Sequence, residues 1–121
     1  MTNDLNALIS SYIDAWNETD AARRRELVAR TWSDDGTYLD PLMAGAGHDA
    51  IDAMIAGAQQ QFPGHRFELS FGPDAYNDQL RFAWRLYGQD GAAPVAGGVD
   101  FATLSEDGRL RSVTGFLEAA A

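Results

Sequence analysis

The chain has 121 residues, the length of one domain spanning 1–121, and 45% of them are hydrophobic, enough for a single real core. Its formal net charge is -9, with nine Arg and no Lys, so it lacks the basic face that nucleic-acid phosphates require. Cysteine is absent, which excludes disulfides, thiolate metal sites and cysteine nucleophiles together.

No apolar run approaches the ~18 residues of a membrane span. Residues 1–15 have neither the basic start nor the continuous apolar stretch of a secretory signal, so the expected location is the cytoplasm. Leu5, Leu8, Ile9, Tyr12, Ile13 and Trp16 recur at helical spacing and predict a helix over 4–17, which Asn3 can cap. Asn17 to Asp20 reads as a turn, with Asp20 as N-cap of a second helix over 21–32. The buried stripe of that helix is Leu27, Val28, Thr31 and Trp32, and Arg23-Arg24-Arg25 reads as its solvated side.

Asp34-Asp35-Gly36 is turn chemistry, and Thr37 to Leu39 are expected in a strand. Pro41 ends that strand and leaves Asp40 at its end, facing a loop. The loop Met43–Gly47 leads to a third helix over 48–60, with Ile51, Met54, Ile55 and Ala58 inward, which Phe62-Pro63-Gly64 breaks.

From His65 onward the period falls from near 3.6 to 2. Phe67, Leu69 and Phe71 share one face of a strand, and Leu80, Phe82, Trp84 and Leu86 share one face of another. Asp90-Gly91 and Asp107-Gly108 are hairpin signals, so strands over 79–88, 94–105 and 109–118 form a meander. In the 94–105 strand both faces are apolar: Val99 and Phe101 lie on one, Gly98, Asp100, Ala102 and Leu104 on the other. If Asp100 points inward, Val99 and Phe101 point out of the sheet together with Tyr87 and Val113. A homodimer through that outer face is therefore expected. Ala119–Ala121 reads as a frayed end.

Gly45-Ala46-Gly47-His48-Asp49-Ala50 fits a dinucleotide-binding pattern, but Pro41 to Ala44 intervene after the strand and only hairpin-linked strands follow, so the glycines read as loop flexibility. His48 and His65 have no metal-ligand spacing, and the expected metal site is none; His65 is retained as a polar group at a pocket mouth. Three polar residues then stand out on apolar surfaces: Tyr12, Asp40 and Asp100. A buried tyrosine with its hydroxyl satisfied explains Tyr12, and a turn cap explains Asp40. An aspartate in mid-strand is disfavoured by propensity and costly to bury charged, so Asp100 asks for more.

Tyr12-Ile13-Asp14-Ala15-Trp16, the strand ending Asp40-Pro41, the Gly47-x-x-x-Ile51 helix, and Val99-Asp100-Phe101 leading to Glu106-Asp107-Gly108-Arg109-Leu110, in the order ααβαββββ, resemble the NTF2-like superfamily. The resemblance spans about residues 5–118 and is nearest the ketosteroid isomerase and SnoaL-like polyketide cyclase branches. It implies an α+β cone in which a curved, mostly antiparallel sheet wraps around helices and encloses a pocket. By this resemblance Tyr12 stands where the isomerases keep an oxyanion-hole tyrosine, Asp40 where they keep the base, and Asp100 where they keep a protonated aspartic acid. Ile55 replaces a supporting tyrosine, so the network behind Tyr12 should be shorter.

The implied chemistry is proton abstraction beside a carbonyl or dienol by Asp40, with Tyr12 and neutral Asp100 donating to the oxyanion and no cofactor. Ketosteroid isomerase is itself the standard example of an aspartic acid kept neutral by an apolar site. Trp16, Trp32, Met54, Ile55, Phe82, Trp84 and His65 are the expected pocket residues for a small apolar molecule. The alternative is a non-catalytic pocket or a dimerisation module, with Asp40 a structural cap and Asp100 a buried acid bonded to Tyr12.

Overall fold

The computed structural model describes residues 4–118. Helix α1 (Leu5–Asn17) is capped by Asp4, whose Oδ1 accepts the Ala7 N–H at 3.0 Å. The Asn3 cap and the Ala119–Ala121 end expected from the sequence both lie outside the described residues. Helix α2 (Ala21–Thr31) starts at Asp20 as expected, its carboxylate accepting the Arg23 N–H at 2.9 Å. It ends one residue early, because Trp32 opens strand β1 (Trp32–Leu39).

That strand runs through Asp34-Asp35-Gly36 instead of starting after it. Trp32 pairs with Leu110 and Thr37 with Ser112, so the acidic segment is an irregularity inside the ladder. The reason is local: the Trp32 indole folds over Gly36, where any Cβ would stand 2.9 Å from Trp32 Cδ1. A short strand β2 (Ala44–Ala46) then pairs antiparallel with β1, in a segment expected to be loop. Ala-Gly-Ala carries no alternation to read, and only backbone pairing makes it a strand.

Helix α3 (His48–Gln61) is followed by β3 (Arg66–Tyr76), β4 (Gln79–Tyr87), β5 (Pro94–Leu104) and β6 (Leu110–Leu117). The sheet order is β2-β1-β6-β5-β4-β3, parallel only between β1 and β6. It is an α+β fold with an open mixed sheet, and the β4-β5-β6 meander stands where the two Asp-Gly turns place it, with Gly91 and Gly108 at positive φ. Ile9, Tyr12, Ile51 and Ile55 from the helices pack on Tyr38, Phe82, Ala102 and Val113 from the inner face of the sheet.

Two facing assignments need correction. Val113 pairs with Ala102 and is buried on the inner face, so Thr114 and Phe116 accompany Val99 and Phe101 outside. Phe71 leaves the face of Phe67 and Leu69, because a register shift after Leu69 sets it opposite Ala83, under the Arg81 guanidinium.

Arg24 also departs from expectation. Three consecutive helical residues point about 100° apart, so they cannot all face solvent. Arg24 is buried, with Nε donating to Asp52 Oδ1 at 2.8 Å and Nη1 to the Glu18 carbonyl and Gln59 Oε1, both at 3.2 Å. Gln59 Nε2 in turn donates to the carbonyls of Trp16 and Glu18. This network ties the end of α1 to α2 and α3. Beside it, the Asn17 amide exchanges two hydrogen bonds with the backbone of Phe67, which closes the edge of β3 against α1. Among the described residues no helix is long and apolar enough to cross a membrane.

Candidate functional site

The open end of the sheet and α1 enclose a cavity of about 110 Å³, and Tyr12, Asp40 and Asp100 all line it. Each arrives from a different element for a local reason. Tyr12 sits on the buried stripe of α1, its ring held from behind by Phe82 at 4.9 Å and Trp32 at 5.2 Å between centroids. Asp40 follows the last residue of β1, where its Oδ1 accepts the N–H groups of Leu42 at 2.8 Å and Met43 at 2.9 Å and so closes the turn around Pro41. Asp100 is on the inner face of β5 and only 1% exposed.

The Tyr12 hydroxyl donates to Asp100 Oδ2 at 2.6 Å, and the Trp84 indole N–H donates to Oδ1 at 3.2 Å. Trp84 reaches it because its indole lies across Gly98 on the neighbouring strand, where a Cβ would stand 2.6 Å from Cζ2. Burial pushes the Asp100 carboxyl up to about 6; the hydrogen bonds from Tyr12 and Trp84 work against the rise and the charge of Asp40 adds to it. Burial, reinforced by the Asp100 charge, raises the Tyr12 phenol well above its ordinary value. It stays a donor throughout the working range of pH.

Sequence reading missed Tyr38. Its hydroxyl donates to Asp40 Oδ2 at 2.6 Å, and its phenol is raised by burial, by the Asp100 charge and by the bond to Asp40. The available signal was the Tyr38-x-Asp40 spacing, which puts both side chains on one face of an extended segment. It also missed Gly115, the cross-strand partner of Asp100. A Cβ at Gly115 would stand 2.9 Å from Asp100 Oδ1, 3.2 Å from the Tyr38 hydroxyl and 3.3 Å from Asp40 Cβ. Asp100, Tyr38 and Asp40 converge on that one glycine.

Of the expected pocket residues, Trp16 and Trp84 line the cavity, together with Phe67, Leu86 and a rim of Leu42, Phe62 and Leu117. Trp32, Ile55 and Phe82 do not; they are fully buried core, and Trp32 and Phe82 act on the site by holding Tyr12. Met54 packs against the core outside the cavity, and the His65 ring packs tilted against Phe62, 5.5 Å between centroids, with Nδ1 on the Pro63 carbonyl. Neither reaches the polar end. Ile55 is apolar core, so Tyr12 has Asp100 and no tyrosine behind it.

Residues 9–113 match a family model described as SnoaL-like domain. A protein named as a candidate isomerase of the SnoaL-like family from Agrobacterium tumefaciens is 46% identical, with a TM-score of 0.88 over 93% of this chain and 96% of that one. An NTF2-like protein of unknown function from an Exiguobacterium species (19% identity, TM-score 0.72, 93% and 99% covered) shares the fold. So does a candidate polyketide cyclase from Sinorhizobium meliloti (18%, 0.69, 90% and 93%). No curated protein matches the chain.

Proposed function

Since the chain belongs to the SnoaL-like domain family, we propose that it is a small-molecule isomerase or cyclase in which Asp40 moves a proton beside a carbonyl or dienol. The observation that carries this reading is the meeting of Asp40, Tyr12 and Asp100 at one end of an otherwise apolar cavity. Asp40 is the base: backbone amides hold its Oδ1, and the carboxylate borders the space a substrate carbon would occupy. Tyr12 and Asp100 form the oxyanion hole. When Asp100 is protonated, the pair has two hydrogens and needs one for its mutual bond, so the other is free for the substrate oxygen. No step calls for a cofactor.

Cavity size narrows the substrate. At about 110 Å³ the enclosed space is below the ~150 Å³ of an apolar cavity that holds benzene. The enclosed space takes a short chain or part of a ring, and the remaining apolar part lies across the rim of Leu42, Phe62 and Leu117. The test is conversion of a small cyclic β,γ-enone to its conjugated isomer, followed by ultraviolet absorbance. Turnover should fall about 10²- to 10⁴-fold in Asp40→Asn; wild-type turnover no faster than that variant's removes the isomerase reading and leaves aldol cyclisation.

One observation favours a purely binding role. The three donors on Asp40 are also what a structural cap would gather. A cap alone predicts a loss of ~1 kcal/mol of stability in Asp40→Ala with ligand affinity unchanged.

The outer sheet face supports assembly. Phe101 and Phe116 meet edge to face at 5.7 Å, flanked by Val99, Leu39 and Phe71, and Phe101, Phe116, Leu39 and Phe71 are all exposed. Such a patch suits a two-fold homodimer, with each cavity on the side away from the contact.

A further inference from the structure

We propose that Tyr38 is a catalytic donor that changes partner during turnover, its hydroxyl hydrogen resting on Asp40 before proton abstraction and passing to the enolate oxygen afterwards. This rests on the proton-transfer reading above and goes beyond it, since nothing in that reading needs Tyr38.

The geometry carries the argument in three steps. The Tyr38 hydroxyl is 2.6 Å from Asp40 Oδ2, whereas Oδ1 is held independently by the Leu42 and Met43 amides. Asp40 therefore keeps its position when Tyr38 lets go. Next, the Tyr38 oxygen and Asp100 Oδ1 both pack on Gly115, 3.2 and 2.9 Å from the place of a Cβ, so the two oxygens are no further apart than those spans laid end to end. An oxygen held midway between Asp100 Oδ1 and the Tyr38 hydroxyl is therefore within hydrogen-bond reach of both. The hydrogen can turn about the ring carbon–oxygen bond to reach it, with no large movement of the side chain. Last, a hydrogen bond to an ionised acceptor is about twice as strong as one between neutral groups. The hydrogen follows the negative charge from one end of the site to the other.

The step balances without any co-reactant. The substrate C–H bond breaks, its proton forms an O–H bond on Asp40, and the electron pair moves through the carbonyl to its oxygen. Tyr38 keeps its covalent hydrogen and changes only the acceptor. When Asp40 returns the proton to carbon, Tyr38 returns to Asp40. A donor available only after charge has moved stabilises the transition state more than the ground state, which is what raises turnover. Burial and the neighbouring carboxylates keep the phenol protonated, so the donor is never lost to ionisation.

The test uses the full chain with Asp40→Asn, which mimics the protonated base, and 4-nitrophenolate as the enolate analogue, read by its absorbance. In that background Tyr38→Phe, which keeps the ring packed on Trp16, should weaken binding by ~10- to 100-fold, the value of one hydrogen bond to a charged group. Tyr12→Phe should weaken it as well. Affinity that falls in Tyr12→Phe but not in Tyr38→Phe overturns the inference and leaves the proton-transfer reading standing. Affinity insensitive to both changes, or no binding to Asp40→Asn at all, removes both. A second measurement needs no change at residue 38: a proton Overhauser contact between the Tyr38 hydroxyl and the bound ring is expected, and its absence counts against the switch.

Discussion

Replacing Asp100 by asparagine isolates the cost of a buried carboxylate. In the folded chain its carboxyl is raised from 3.8 to about 6, chiefly by burial. Each unit is worth 1.36 kcal/mol, so ionising it in the native state costs about 3 kcal/mol relative to the unfolded chain. At 1% exposure, solvent screening does not reduce that figure much. The sign follows from proton counting. Between pH 3.8 and about 6 the native state binds more protons at this position than the unfolded state, so stability from this group falls as pH rises through that window and levels off above it. Asparagine does not titrate. Urea unfolding of wild type and Asp100→Asn at several pH values should therefore show the wild type losing about 3 kcal/mol relative to the variant from below pH 4 to above pH 6. A difference that stays flat, or moves the other way, would refute the claim that burial dominates at Asp100. The same proton governs activity if neutral Asp100 is an oxyanion donor: kcat/KM should then decline as pH climbs through about 6, a slope that Asp100→Asn flattens.

Gly115→Ala places a methyl 2.9 Å from Asp100 Oδ1; overpacking should cost about 1–3 kcal/mol in urea unfolding and lower enone turnover, and unchanged turnover would show that the site tolerates displacement. Arg24→Ala leaves the buried Asp52 with only the Arg25 guanidinium, 3.8 Å away, and should cost about 3 kcal/mol, the lower end for a broken buried pair, with Asp52→Ala in addition recovering part of the loss. Phe101→Asp should convert a sedimenting dimer to monomer while leaving the cavity intact; a wild-type monomer at micromolar concentration, or a variant that dimerises normally, contradicts the proposed assembly.

Much of the architecture was legible because periodicity reports which face of an element is buried. The stripe from Leu5 to Trp16, the alternation of Leu80 to Leu86, and the two Asp-Gly turns determined α1, β4 and the meander before any tertiary contact was considered. Tyr12, Asp40 and Asp100 were also legible, partly as polar residues on apolar surfaces and partly through resemblance to a known family; they do line one cavity. Other features depend on what packs opposite, which no local pattern contains. The strand through Asp34-Asp35-Gly36 exists because β6 offers a parallel edge and the Trp32 indole needs the space over Gly36. Phe71 faces outward because of a register shift, and Arg24 is buried because Asp52 and Gln59 arrive from α3. The bond from Tyr38 to Asp40 and the gap at Gly115 were decided the same way. Side-chain period fixes direction within one element, whereas a hydrogen-bond partner or a gap for a missing Cβ is a property of two elements, and only the assembled sheet brings those together.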